Sequence, residues 1–330
     1  MKVRIVGSGS WATALAQVLV DNGVDTLIYG ISKEEVNDIN ENHQNSRFFD
    51  CQINEAIKAS NDISILKDAD VILLGVPTTA MESVLLEIKS LMEKKYVIIN
   101  VAKGFHIKTK ERMSVLIKRI LGSEVPVVSL IGPSHAEEVI LRQLTVVNAV
   151  CEDLNEARKI QDLFSNEYFR VYINDDVTGA EIAAAVKNVM AIASGCLEGI
   201  GQGDNARAAL ITRGLHEMTR FGLKLGGRQS TFIGLNGVGD LVVTASSRHS
   251  RNFEAGLKIG LAHSAKEFMA TNSKTVEGIN ATKTVVAMAK ELGIEMPICQ
   301  EVYAVLFEDK DPEKAISDLM SRPLKIEYEH

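Results

Sequence analysis

Val3-Arg4-Ile5-Val6 followed by Gly7-Ser8-Gly9-Ser10-Trp11-Ala12 is the stretch that decides the fold. Three of its first four residues are apolar, as in a short buried strand, and they run into a glycine turn. Behind the turn a helical period begins, because Trp11, Ala14, Leu15, Val18 and Leu19 fall at i, i+3, i+4, i+7 and i+8. Gly7, Gly9 and Ala12 meet the pattern G-x-G-x-x-G/A. The first glycine permits the tight turn, the second lets the backbone approach a pyrophosphate, and a small third residue lets helix pack on sheet. The helix N-terminus then offers free N–H groups to the anion. Alone the pattern is weak, since many glycine turns satisfy it; between a strand and a helix it reads as a dinucleotide site.

Working outward, Asn22-Gly23 stops the helix and Thr26-Leu27-Ile28-Tyr29 reads as a second strand. Val71-Ile72-Leu73-Leu74, Val97-Ile98-Ile99-Asn100, Val127-Val128-Ser129-Leu130 and Leu144-Thr145-Val146-Val147 follow. Most are continuously apolar rather than alternating, as a parallel sheet covered on both faces requires. The expected fold class is α/β: an N-terminal Rossmann-type doubly wound sheet over residues 1–177, followed by a mostly α-helical domain over 178–330. In the second half, strand-like runs become rare and helical periods appear over Asn205 to Phe221 and Gly278 to Leu292. The glycine-rich stretches Gly195 to Gly203 and Gly234 to Gly239 read as connectors between helices.

Composition narrows the function. The 330 residues are 46% hydrophobic and 24% charged, typical of a globular chain of about two domains. A formal net charge of −7 argues against a phosphate-backbone binder, and 5% aromatics with one Trp argues against base stacking, so no nucleic-acid partner is expected. The uncharged stretch Val125 to Ala136 is too short to span a bilayer, and Met1-Lys2 leads straight into the first apolar run without a secretory leader. Cys51, Cys151, Cys196 and Cys299 lack paired spacing, as free thiols in a reducing compartment would, so a cytoplasmic location is expected. The seven His residues form no H-E-x-x-H pair and no Cys-Cys-His cluster, so no catalytic metal is expected; no G-x-x-x-x-G-K-[ST] is present either.

Several loops carry polar residues where ligands of open α/β sheets bind, outside the carboxyl ends of strands. Val76-Pro77-Thr78-Thr79 and Asn100-Val101-Ala102-Lys103-Gly104 follow two buried strands, and Gly132-Pro133-Ser134-His135-Ala136 follows a third. Lys187-Asn188 lies beside an apolar stripe of Ile182, Val186, Val189 and Met190, where a lysine is ordinarily solvated. Gly237-Val238-Gly239-Asp240-Leu241 continues to Ser250-Arg251-Asn252, which by itself reads as a glycine loop with a capping Asp and a surface Arg. At the end of the second strand, Tyr29-Gly30-Ile31-Ser32-Lys33-Glu34 offers neither an acid for a ribose 2′-hydroxyl nor a base for a 2′-phosphate at its first positions. NAD and NADP both remain open.

Taken in order, Gly7 to Trp11, Gly132 to Ala136, Lys187-Asn188, Gly203-Asp204-Asn205, Gly237 to Asn252 and Val276-Glu277-Gly278 resemble the NAD(P)-dependent glycerol-3-phosphate dehydrogenases over nearly the whole chain. The resemblance implies reduction of dihydroxyacetone phosphate to sn-glycerol 3-phosphate, feeding phospholipid synthesis, by a homodimer. It implies that Lys187 is catalytic, with Lys103 and Asp240 beside it. Cofactor contacts are implied at Gly7, Gly9, Ser10, Trp11, Ile31, Ser32, Lys103, Ala136, Arg251 and Glu277. Substrate contacts are implied at Lys103, Gly132, Ser134, Lys187, Asp240, Ser250, Arg251 and Asn252. Bacterial members often carry His or Arg where Ile31 and Ser32 stand, a departure that leaves the cofactor preference open.

The residue chemistry agrees with that set. Ketone reduction needs a proton delivered to the developing alkoxide, and a lysine ammonium both stabilises the charge and donates the proton. Free lysine titrates near ~10.4, and burial or a second cation such as Lys103 lowers that value, whereas Asp240 raises it. Arg251 and Asn252 suit a substrate phosphate, since a guanidinium fork binds its oxygens bidentately. Two rivals stand beside this reading: a related dehydrogenase of hydroxy acids or sugar acid phosphates, and a nicotinamide-binding sensor without turnover.

Overall fold

The computed structural model describes residues 1–327 except Lys95, Ser273 and Lys325. Eight strands form one sheet: β1 (Lys2–Val6), β2 (Asp25–Tyr29), β3 (Lys58–Ser60), β4 (Val71–Leu74), β5 (Val97–Asn100), β6 (Val127–Ile131), β7 (Thr145–Val150) and β8 (Phe169–Asn174). Their spatial order is β3-β2-β1-β4-β5-β6-β7-β8, with every neighbour parallel except β6 and β7. The chain reverses direction from β1 on either side of the β1–β4 junction, which is the switch point where open α/β sheets bind ligands. Helices α1 (Ser10–Asp21), α2 (Lys33–Asn37), α3 (Met81–Leu91), α4 (Met113–Leu121), α5 (Ala136–Val139) and α6 (Leu154–Phe164) accompany the sheet. The stripe of α1 is buried at Ala14, Leu15, Val18 and Leu19, and the helix ends at Asn22 with Gly23 in the left-handed region.

The second half is helical: α7 (Val177–Gly199), α8 (Asp204–Lys224), α9 (Gln229–Phe232), α10 (Asp240–Ser246), α11 (Arg251–Ala262), α12 (Lys266–Thr271), α13 (Glu277–Leu292), α14 (Pro297–Phe307) and α15 (Pro312–Met320). Asp176 caps α7, accepting from the Gly179 amide at 2.8 Å, and also accepts from Thr231 Oγ1 at 2.6 Å, so one carboxylate fixes two elements.

Several expectations change. β3 and β8 are strands that continuous apolar runs do not reveal, and β7 is antiparallel to β6. Gly195 and Gly199 lie within α7 rather than in a connector, because α7 crosses α11 at backbone contact. A Cβ on Gly195 would fall 2.0 Å from the Phe253 carbonyl oxygen, and one on Gly256 would fall 2.0 Å from that of Ile192. Leu235–Gly239 is a helical turn leading into α10. Finally, α7 is not amphipathic: nearly all of its residues from Val177 to Leu197 are buried, including Lys187. Among the described residues α7 alone is long and apolar enough to cross a membrane, yet 94% of its apolar window is buried inside the protein, which makes it the core helix of the second half.

Candidate active site

The glycine turn is built for close approach. Gly7 sits at φ +108°, and a Cβ there would meet the Gly75 carbonyl oxygen at 2.7 Å. A Cβ on Gly75 would in turn meet that of Ala12 at 2.7 Å, which explains the small residue at the third pattern position. Gly9 precedes α1 without any side-chain cap, and open space faces its Cα. The first amides of α1 therefore have no side-chain acceptor, which fits a dinucleotide pyrophosphate. Beside them Trp11 Nε1 is buried and has no hydrogen-bond partner among the described residues.

The other polar loops come from the carboxyl ends of β4, β5 and β6. After β4, the Thr78 amide and hydroxyl donate to the Glu277 carboxylate at 3.1 and 2.6 Å, tying the sheet to the start of α13. Burial pushes the Glu277 carboxyl above its ordinary range. After β5, the Lys103 ammonium donates to the Asp240 carboxylate at 3.1 Å and to the Gly132 carbonyl, after β6, at 3.2 Å. Gly132 must lack a side chain, since a Cβ would lie 2.9 Å from Val147 Cα on β7. Ser134 donates to the Gly132 carbonyl at 3.0 Å, and Ala136 opens α5 with 7% exposure.

Lys187 meets this group from α7. Its ammonium donates to Asp240 Oδ1 at 2.8 Å and to Thr244 Oγ1 at 2.6 Å. Lys103 and Lys187 thus share one carboxylate, whose side chain is 1% exposed; their own side chains are 18% and 4% exposed. Burial, reinforced by Lys103 and opposed by Asp240, brings the Lys187 pKa down from 10.5 to about 7. A second carboxylate fixes α7 on the sheet: Glu181 accepts from the Ser129 hydroxyl at 2.8 Å, the Ser114 hydroxyl at 2.7 Å and Arg112 at 3.0 Å.

The remaining positions form a chain of amides. Asn188 donates to the Lys103 carbonyl at 3.2 Å and accepts from Asn252 at 3.0 Å, while the Gly278 amide donates to Asn252 Oδ1 at 2.9 Å. Ser250 caps α11, accepting from the Phe253 amide at 3.3 Å. Arg251, the first residue of α11, is exposed and makes no hydrogen bond with the described residues. Lys103, Gly132, Lys187, Asp240 and Asn252 are therefore joined by direct bonds or one bridging amide. Ile31 and Ser32 stand apart: Ile31 is 86% exposed, and Ser32 caps α2 by accepting from the Glu35 amide at 3.3 Å. Sequence reasoning overlooked Thr244 as a partner of Lys187, although its i+4 spacing from Asp240 puts both on one face of α10. It also overlooked Glu35, whose carboxylate accepts from Ser8 inside the glycine turn; the Ser32-x-x-Glu35 spacing marks the helix start but does not point to Ser8.

This constellation offers a cradle for an anionic dinucleotide, a buried ammonium that titrates near neutrality, and an exposed guanidinium at a helix N-terminus. Residues 2–157 match the family model described as NAD-dependent glycerol-3-phosphate dehydrogenase N-terminus, and residues 176–317 match the corresponding C-terminus. A protein of Streptococcus sanguinis called glycerol-3-phosphate dehydrogenase [NAD(P)+] is 44% identical, over 99% of this chain and 98% of its own. One of the same description from Streptococcus equi subsp. zooepidemicus is 45% identical over the same shares. The crystal structure of glycerol-3-phosphate dehydrogenase from Coxiella burnetii superposes with a TM-score of 0.92 at 36% identity, covering 97% of this chain and 99% of that one.

Proposed function

The chain belongs to the NAD-dependent glycerol-3-phosphate dehydrogenase family, and from that premise we propose how its cleft works. Its reaction is the reversible reduction of dihydroxyacetone phosphate to glycerol 3-phosphate, with NAD(H) or NADP(H) as cofactor. The bound dinucleotide supplies the hydride. Lys187, as the ammonium, donates a proton to the carbonyl oxygen, and in the reverse direction neutral Lys187 accepts it. Asp240 and Thr244 orient the ammonium, while Lys103 holds the far side of the Asp240 carboxylate and polarises the same oxygen. Gly7, Gly9, Ser10 and Trp11 hold the pyrophosphate end, with Ala136 and Glu277 lining the cofactor's path. The substrate phosphate takes Arg251, Ser250 and Asn252 at the start of α11, where the helix dipole adds to the guanidinium charge. Gly132 and Ser134 complete the substrate cradle. Because that phosphate is remote from the reacting carbon, its binding energy serves to position the carbonyl.

The observation that carries this reading is the Lys187 ammonium, buried on a shared carboxylate and brought to about 7, a value suited to two-way proton transfer at neutral pH. The test is spectrophotometric. Absorbance of the reduced nicotinamide should fall when dihydroxyacetone phosphate is added and stay constant with keto acids; constancy in both cases would favour a sensor. The same reading includes a cytoplasmic homodimer whose product supplies glycerophospholipid synthesis; it rests on family membership, and light scattering of the purified chain checks the dimer.

A further inference from the structure

Glu35 is a carboxylate with an unusual address. It belongs to α2, beyond the end of β2, yet its side chain folds back under the glycine turn. There one oxygen accepts from the Ser8 hydroxyl, between Gly7 and Gly9, and the other is paired with Arg47 Nη1 at 2.6 Å. Ser8 is packed against the end of β2, since a Cβ on Gly30 would lie 2.9 Å from its hydroxyl oxygen. The Glu35 side chain is 10% exposed and that of Arg47 is 69% exposed. In this fold the end of β2 faces the adenosine ribose of a bound dinucleotide, and an acid there accepts from the ribose 2′-hydroxyl. The first positions after β2 hold no such acid, and Ile31 is exposed and apolar.

We propose that Glu35 selects the dinucleotide: held by Ser8 beneath the glycine turn, its carboxylate accepts from the adenosine ribose hydroxyls and repels a 2′-phosphate, so the chain takes NAD(H) over NADP(H). This rests on the dehydrogenase reading above and adds the cofactor preference that reading lacks. A carboxylate has about four lone-pair sites, and the two bonds to Ser8 and Arg47 leave capacity for a ribose hydroxyl. The local charge has the same sign. Between residues 31 and 47 the chain carries Glu34, Glu35, Asp38 and Glu41 against Lys33 and Arg47. Arg47, the cation nearest Glu35, already has part of its charge offset by that pairing, and a 2′-phosphate reaching its remaining N–H donors would face the carboxylate's charge beside it.

Binding decides the matter without turnover. Dissociation constants of NADH and NADPH for the full chain are measured by nicotinamide fluorescence, with thermal unfolding run on every variant to establish folding. The wild type should bind NADH at least about tenfold more tightly, the ratio that one charge-assisted hydrogen bond supplies. Glu35→Gln keeps the size and one acceptor oxygen but removes the charge; it should weaken NADH and tighten NADPH, shrinking the ratio several-fold. Glu35→Leu should weaken NADH further, which guards against Gln substituting for the acid. Equal or tighter NADPH binding by the wild type would overturn the proposal and point to Arg47 and Lys33 as a phosphate site. A ratio that neither substitution moves would overturn it as well. A wild type that binds neither dinucleotide overturns the dehydrogenase reading itself, whereas one that reduces dihydroxyacetone phosphate best with NADPH overturns the Glu35 assignment alone.

Discussion

The Asp240 carboxylate lies 2.8 Å from the Lys187 ammonium, and the two side chains are 1% and 4% exposed. A pair this deep loses hydration on both sides, so its net contribution to stability is small, while removal of either partner strands a buried charge or dipole. Its value lies in chemistry: the same burial that weakens the pair brings the ammonium to where it can release a proton.

Lys187→Ala should therefore reduce kcat by about 10²- to 10⁴-fold, the span of a single acid–base group. Cofactor affinity should survive, because the glycine turn is built from β1 and α1 rather than α7. Stopped-flow reduction together with equilibrium binding separates the two effects. A variant that turns over at the wild-type rate would remove Lys187 from the mechanism.

The pH dependence follows from the sign of the Lys187 shift. Reduction needs the ammonium, so kcat/KM for dihydroxyacetone phosphate should be level at low pH and fall as pH rises through about 7. Oxidation of glycerol 3-phosphate needs the neutral amine and should rise through the same pH. Lys103→Met removes a like charge and should move the inflection upward; Asp240→Asn removes the compensating anion and should move it downward. The folded value lies below 10.5, so between about 7 and 10.5 the unfolded chain holds more protons and stability gains with rising pH. Lys187→Met should flatten that part of the stability profile, measured by urea unfolding at several pH values.

Arg251 is exposed at the start of α11 and bonded to none of the described residues. Arg251→Ala should leave stability within about 0.5 kcal/mol of wild type, as at other exposed surface positions without a hydrogen bond. It should raise KM for dihydroxyacetone phosphate by about 10- to 100-fold, since a hydrogen bond to a charged group is worth roughly 1.5–3 kcal/mol. Inhibition by inorganic phosphate should weaken in parallel. An unchanged KM would move the phosphate site elsewhere.

The sheet was legible where strands are buried on both faces. Val71–Leu74 is a continuous apolar run and Val97–Asn100 is one up to its last residue, and both limits in the structure match those read from the sequence. Phe169–Asn174 escaped notice because alternate residues, Arg170 and Tyr172, face solvent, as on a strand covered on one side. Lys58–Ser60 is too short to carry a pattern. The direction of β7 was hidden for a different reason: antiparallel pairing is set by the connection and not by the strand's composition. At the site, motif spacing pointed to Lys187, Lys103 and Asp240 separately. What joins them is depth, which composition does not record, since α7 shows an apolar stripe over Ile182 to Met190 but is buried along nearly all of Val177 to Leu197.

Depth in α7 is purchased by glycine, which yields the last prediction. Gly195 and Gly199 on α7 meet Gly256 and Gly260 on α11 so closely that any Cβ would strike backbone: 2.0 Å from the Phe253 oxygen for Gly195, 2.6 Å from the Leu257 oxygen for Gly199, 2.0 Å from the Ile192 oxygen for Gly256 and 2.5 Å from the Cys196 oxygen for Gly260. Backbone cannot swing aside as a side chain does, so one added methyl forces the helices apart along their whole crossing. Gly256→Ala should cost roughly 1–3 kcal/mol or more, the range for overpacking a filled core. Gly203→Ala is the control: nothing lies within 4 Å of its Cβ direction and its φ is −89°, so its cost should be confined to the helix-cap preference for Gly over Ala, about 1 kcal/mol or less. Because α7 carries Lys187 and α11 carries Arg251 and Asn252, separation of the two helices also widens the distance between proton donor and phosphate site. In the fraction that remains folded, Gly256→Ala should therefore lower kcat/KM while the dissociation constant of the dinucleotide, held mainly by the glycine turn of the other half, stays within about twofold of wild type, a change under roughly 0.5 kcal/mol. Urea midpoints and kinetics below the transition check both parts, and equal stability of the Gly256 and Gly203 variants would refute the crossing as the element that positions the site.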